Sequence, residues 1–230
     1  MAAGSASSST YGSNAPLPTT VINTLLHYAS RSNDSFHMSH AEIKPISDAL
    51  RKCSSPCNFL VFGLTHETPL WKALNHNGRT VFIEENRYYA AYYEELHPEI
   101  DVFDVQYTTK MREMRELIAS TKEQIKKRMQ ASAESTLLRI GDGPEGPGRM
   151  TPIFTSGVLA RSKKASSAKT HIFVHDYYRN VERVYGDEFL CRENLVESNG
   201  MLAHFVVEKM DENSFQFCRN HTSNSSASSS

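Results

Sequence analysis

The chain has 230 residues, 39% of them hydrophobic, enough for one domain with a sizeable core. Its net charge of −1 lacks the basic excess of a nucleic-acid binder. No apolar run approaches the ~18 residues of a membrane span, and the first twenty residues lack the basic start and apolar core of a secretory signal. These features predict a soluble protein with no nucleic-acid partner and no membrane span in this chain.

Residues 1–15 are rich in Ala, Ser and Gly, and 219–230 are mostly Ser and Asn. Both segments are expected to be disordered, because they cannot bury enough apolar surface to offset chain entropy. Between them lies one expected domain, 16–218. Val21, Leu25 and Tyr28 predict a short helix over 19–30. Ser39 and Glu42 form a capping-box pattern opening a second helix through Ile43, Ile46, Ala49 and Leu50, with Pro45 expected to kink it or delay its start. The four cysteines (Cys53, Cys57, Cys191 and Cys218) fit either two disulfides or four thiols. The lone spacing of Cys53 and Cys57 argues against zinc. Sequons at Asn33, Asn220 and Asn224 matter only in a secretory compartment.

The stretch 58–86, NFLVFGLTHETPLWKALNHNGRTVFIEEN, is the most informative. Phe59, Leu60, Val61 and Phe62 are a continuous apolar run, as in a strand covered on both faces. Gly63 follows, where the chain leaving a strand needs backbone freedom. Leu70, Trp71 and Leu74 give a helical stripe ended by Gly78, and 80–83 form a second apolar strand. Glu84 and Glu85 stand at its carboxyl end, ~20 residues after the first strand's exit. That is where an adenosine-binding α/β unit holds ribose hydroxyls. With one glycine and no phosphate-binding lysine, the loop suits a cofactor without a pyrophosphate, such as S-adenosylmethionine. The alternative is a plain strand-helix-strand unit with solvated carboxylates.

Farther along, 87–96 reads as a helix and 102–107 as a strand. A long basic helix over 109–129 carries Met111, Met114, Ile118, Ile125 and Met129 on one stripe. The segment 141–148, GDGPEGPG, is a loop by composition. A helix over 153–162, a strand over 171–174 and a helix over 177–185 follow. Asn199-Gly200 marks a hairpin, which adds an antiparallel strand near the end. Alternating strands and helices predict an α/β fold with a mostly parallel, covered sheet.

In such sheets, ligands gather beyond the carboxyl ends of the strands. The cofactor candidates are therefore Gly63, Thr65, Glu67, Glu84 and Glu85, with Asp142 on the later loop. His175 is the candidate general base for a sugar hydroxyl. Asp176 is the candidate to orient that imidazole or hold a divalent metal, and it reads equally well as a helix cap. Arg149 and Arg179 are candidates to grip a uronic acid carboxylate. Trp71 and the tyrosines 88, 89, 92 and 93 read as packing residues before a sugar-stacking platform.

The run CNFLVFGLTHETPLWKALNHNGRTVFIEENRYYAAYYEELHPEIDVFDVQYTTK resembles the plant irregular-xylem-type xylan biosynthesis proteins. These share a domain with the glucuronoxylan O-methyltransferases. GDGPEGPGRM, THIFVHDYYRNVERVYGDEFLCRENLVES and LAHFVVEKM resemble the same group, so most of 38–218 is covered. The resemblance implies a Rossmann-like S-adenosylmethionine methyltransferase-type fold, residence in the Golgi apparatus and a role in glucuronoxylan synthesis for the secondary cell wall. It also implies xylan and other wall-forming Golgi proteins as partners. The methyltransferase branch transfers a methyl group from S-adenosylmethionine to the 4-hydroxyl of glucuronic acid side chains. The irregular-xylem branch supports backbone formation, and LNHNGRTVFIEENRYYAAY leans toward it. Two departures stand out. The cytosolic tail and membrane anchor usual in the group are not expected in this chain. The interval 131–140, ASAESTLLRI, replaces a longer family stretch that contains an apolar strand. The sheet is thus expected to lack a central strand unless 136–140 substitutes for it. Three readings follow: a xylan-synthesis protein without assigned chemistry, an active glucuronoxylan 4-O-methyltransferase, or an unstable shortened product.

Overall fold

A computed structural model describes residues 15–32, 37–53, 56–107, 109–130, 149–163, 169–209 and 217–218, with side chains omitted over 124–130. The serine-rich ends, Asp142, the sequon asparagines and the interval 131–148 lie outside the described residues.

The chain opens with two helices. In α1 (Thr19–Ala29), Ile22 and Leu26 are buried. In α2 (His40–Arg51) the Ser39/Glu42 capping box forms as the sequence predicts. Pro45 neither delays nor breaks α2. The N–H it lacks would have gone to Ala41, which is solvent-exposed, so that carbonyl can turn to water. The strand-helix-strand unit follows as β1 (Asn58–Phe62), α3 (Thr68–Leu74) and β2 (Arg79–Glu84). Asn86 then caps α4 (Arg87–Leu96), its side-chain oxygen accepting from the Tyr88 and Tyr89 N–H groups. β3 (Asp101–Asp104) is shorter than the predicted 102–107. Past Asp104, the Val105 N–H still bonds the Glu84 carbonyl at 2.9 Å, but the strand pairing with β2 ends.

A short 3-10 turn leads into α5 (Met114–Gln130), and α6 (Met150–Arg161) precedes β4 (Thr170–Val174). The helix expected over 177–185 starts later, as α7 (Asn180–Tyr185), and runs into a wider turn over Gly186–Leu190. The delay has a cause: Asp176 takes φ +58°, and the Tyr177 N–H goes to the Met201 carbonyl instead of a helix. The hairpin forms as β5 (Leu195–Asn199) and β6 (Leu202–Val207), with Gly200 at φ +60°.

The α/β class holds, but the strands do not form one mostly parallel sheet among the described residues. β1-β2-β3 form a parallel sheet, and β4-β6-β5 form a separate antiparallel one. β1 corrects a second expectation. Its apolar run suggested cover on both faces, yet every residue from Asn58 to Phe62 is half-buried or exposed, Leu60 at 39%. Among the described residues it is an edge strand, bonded on one side only to β2.

Two hydrophobic clusters support the sheets. Phe82, Trp71, Ile43, Ile46 and Val102 anchor the first, and Leu202 of β6 belongs to it. Phe189, Phe205, Met150 and Leu190 anchor the second. α2 lies against both sheets, because the first cluster takes Ile43 and Ile46 from it, Phe59 and Val61 from β1, and Phe173 from β4. Of the four tyrosines on α4, only Tyr93 is buried; Tyr88, Tyr89 and Tyr92 are exposed. The cysteines pair as Cys53–Cys57 and Cys191–Cys218. Buried Arg161 donates to the Gly157, Phe189 and Phe217 carbonyls, and burial lowers its pKa to about 10.

Phe82 is fully buried at the centre of the parallel sheet. Phe82→Ala should cost about 3–5 kcal/mol of stability, read as a lower urea midpoint at unchanged slope.

Candidate functional site

The carboxyl ends of β1 and β2 are built around one buried carboxylate. Gly63 takes φ +97°, a conformation a side chain would strain, and no atom lies within 4 Å of where its Cβ would sit. Its N–H donates to the Ile83 carbonyl at 2.7 Å. Glu84 then accepts from the Leu64 N–H at 2.9 Å with one carboxylate oxygen and from the Asn86 N–H at 2.9 Å with the other. Both oxygens are therefore engaged in fixing the loop after β1 and the turn after β2. Glu67 is also held inside the protein: it is 2% exposed and accepts from the Met38 N–H at 2.7 Å, tying the start of α2 to the same loop. Thr65 is exposed, and its hydroxyl accepts from the Glu67 N–H. Glu85 is also exposed; partial loss of water and the neighbouring Glu84 charge raise its pKa.

Tyr107 joins this group, although its sequence context suggested only a strand residue. Its hydroxyl is buried without a hydrogen-bond partner among the described residues. Burial and the charges of Glu85 and Glu84 push its pKa up to about 12, so it stays a donor at neutral pH. Its position just past a strand's carboxyl end was the signal available in the sequence.

The second group stands at the end of β4. The Asp176 carboxylate takes Arg149 at 2.8 Å, Arg179 at 3.0 Å and His175 Nδ1 at 3.6 Å. It does not cap α7, whose N-cap residue is Arg179. Burial would raise its pKa, but the Arg149 hydrogen bond and the charges of Arg149, His175 and Arg179 outweigh it and hold Asp176 below the usual range. Arg149 also donates to the His175 carbonyl at 2.9 Å and lies 4.0 Å from buried Glu182. The structure thus assembles His175, Asp176, Arg149 and Arg179 as one cluster, with both arginines turned toward Asp176.

Glu42 closes the cluster, a residue the sequence placed only in a helix cap. One of its oxygens accepts from the Ser39 N–H and hydroxyl, each at 2.8 Å. The other accepts from the Met201 N–H at 2.7 Å and lies 3.6 Å from His175 Nε2. His175 therefore has a carboxylate near each ring nitrogen. Because Met38 meets Glu67 and Glu42 meets His175, the start of α2 connects the two groups. Among the described residues, the close trio of possible metal ligands is Cys191, Glu193 and Cys218, and its two sulfurs are joined to each other.

This architecture is that of an α/β protein with carboxylates and a histidine at its strand ends. The sequence matches the IRX15/IRX15L/GXM family over residues 41–140 and 137–205. The chain belongs to that family. It is 62% identical over 240 residues to Protein IRX15-LIKE of Arabidopsis thaliana, covering 93% of this chain and 75% of the relative. Identity is also 62% over 231 residues to Protein IRREGULAR XYLEM 15 of the same plant, covering 90% and 72%. Against Arabidopsis Glucuronoxylan 4-O-methyltransferase 3 it is 33% over 213 residues, covering 83% and 70%. No solved structure shows a significant match.

For Glu42, burial raises the pKa, but the Ser39 and Met201 N–H groups, the Ser39 hydroxyl and the His175 charge together bring it below 4.5. A depressed folded pKa contributes stability that is complete above the unfolded value and disappears as pH falls through the folded one. Glu42→Gln should lose about 1–3 kcal/mol near neutrality. It should also lose less stability than the parent chain on acidification below 4.5, read from urea midpoints along a pH series.

Proposed function

We propose that the chain serves glucuronoxylan synthesis for the secondary cell wall, in the Golgi, as a methyltransferase-like protein working beside other wall-forming proteins rather than by its own methyl transfer. One observation carries this reading. Identity to the two IRX15 proteins is 62%, against 33% for the glucuronoxylan methyltransferase over a similar share of the chain. The site supports it too. Arg149 and Arg179 are engaged with Asp176, which leaves them poorly placed to grip a uronic acid carboxylate. No helix among the described residues is long and apolar enough to cross a membrane.

A second reading, an active S-adenosylmethionine-dependent glucuronoxylan 4-O-methyltransferase, draws on the other group. Exposed Glu85 could accept from ribose hydroxyls, the unpartnered Tyr107 hydroxyl could donate, and Gly63 leaves room for a close approach. These residues fit the adenosine end of S-adenosylmethionine, with Thr65 at the rim, while Glu67 and Glu84 would support the pocket from behind. When bound, that cofactor supplies an electrophilic methyl group. His175 would take the proton of the sugar 4-hydroxyl on Nε2 as its oxygen attacks, and Asp176 would orient the imidazole from the Nδ1 side.

Two measurements separate the readings. Plants lacking the chain should make less xylan with unchanged 4-O-methylation per glucuronic acid, and a His175→Ala chain should restore the amount. Normal xylan with reduced methylation would overturn the first reading. In calorimetry, heat on titrating S-adenosylmethionine that Glu85→Ala weakens at least tenfold would favour the second; no heat would exclude it.

A further inference from the structure

Two open strand edges flank the region where this chain is shorter than its relatives. Among the described residues, β1 bonds only to β2, and β4 bonds only to β6. Phe59 and Val61 of β1 and Phe173 of β4 nevertheless pack against one hydrophobic cluster, all of them only partly buried. Leu60, which belongs to neither hydrophobic cluster, is exposed. An uncovered apolar strand edge is a template for pairing with another extended chain.

The relatives carry additional chain at the corresponding place. The family matches this chain in two pieces that meet and overlap at 137–140, between α5 and α6. β1 lies in the first piece and β4 in the second. The IRX15-LIKE alignment runs over 240 residues yet takes 93% of this chain's 230, so roughly two dozen aligned positions belong to the relative alone. The IRREGULAR XYLEM 15 alignment, 231 residues over 90% of the chain, leaves a similar surplus. That length suffices for one strand of about 5–6 residues with both its connections. The split match puts the surplus at the junction between the halves that carry the two open edges.

The geometry points to a strand-acceptor slot between β1 and β4 that takes an extended, apolar segment from a second polypeptide. The occupant is a segment of the kind the longer relatives carry at this junction. Backbone hydrogen bonds to the β1 and β4 edges would supply affinity. Leu60, Phe59, Val61 and Phe173 would select apolar side chains at alternate positions. The inference does not depend on the functional reading above, because it concerns pairing of the sheet and not the strand-end site.

The test uses the full chain and a synthetic peptide with the residues that Arabidopsis IRX15-LIKE alone carries at this junction. The peptide should bind saturably, raise the melting temperature by several degrees and slow amide exchange at least tenfold at Leu60 and Phe62, whose N–H groups point away from β2. A scrambled peptide should do none of these. A chain with the same residues inserted at 137–140 should refuse the peptide. The inference is overturned if the outward Leu60 and Phe62 amides already exchange slowly without peptide. It is equally overturned if the peptide binds without protecting β1 or β4, or if the insertion chain binds it as well as the parent.

Discussion

The Glu42 carboxylate is the polar contact that ties the hairpin and the end of β4 to the start of α2. Among the described residues the two sheets share no strand pairing, so they must be aligned by something else, and apolar contact alone does not fix register. Glu42 does so with directional bonds. It closes the cap of α2 through Ser39, takes the Met201 N–H from the hairpin, and stands 3.6 Å from His175 at the end of β4. Gly200 is part of the same fit, since a Cβ there would sit 2.8 Å from the Glu42 carboxylate. Charge-assisted bonds to backbone donors are among the stronger polar contacts, and here one side chain makes them to two segments 159 residues apart.

The residues that looked chemical in the sequence divide into those that build the site and those left facing out of it. Glu84 and Glu67 were both candidates for holding a cofactor, yet their carboxylates are buried and engaged with backbone N–H groups. Such carboxylates set the shape of a loop and gain little by meeting a ligand. Glu85 and Tyr107 carry the opposite signature: one exposed carboxylate and one buried hydroxyl without a partner among the described residues, close enough for the Glu85 charge to raise the Tyr107 pKa. At the other group, Asp176 pairs with both arginines, so the donors suited to an acidic sugar already have a partner within the protein.

Local pattern made the helices and strands legible. Residues 87–96 were readable as a helix, although the Asn86 cap that opens it was not foreseen, and Asn199-Gly200 was readable because a tight hairpin needs positive φ. The capping box at Ser39 was readable for the same reason, but only half of Glu42's role lies within four residues. Its bond to Met201 depends on tertiary placement that no local window contains. Periodicity also misled at β1. Four apolar residues in a row signal burial on both faces, which assumes that a neighbouring strand is present to complete the cover.

That assumption links the fold to the chain's shortened centre. A parallel strand with an apolar run on both faces is a sequence shaped for the interior of a sheet, and here it stands at an edge. The antiparallel group shows no such mismatch at β6, which is central and almost fully buried from Leu202 to Val207. Among the described residues, the discrepancy falls on the strand of the parallel sheet that bonds only to β2. Side chains of β1 still match an interior position although the strand beside it is lacking among the described residues. Hydrophobic cover from α2 and α3 supports the strand on its helical side, through Ile43, Ile46 and Trp71, whose ring meets Phe59 edge to face at 6.3 Å. Cover of that kind buries apolar surface without satisfying edge N–H and C=O groups, so it stabilises β1 in place while leaving its outer edge competent to pair.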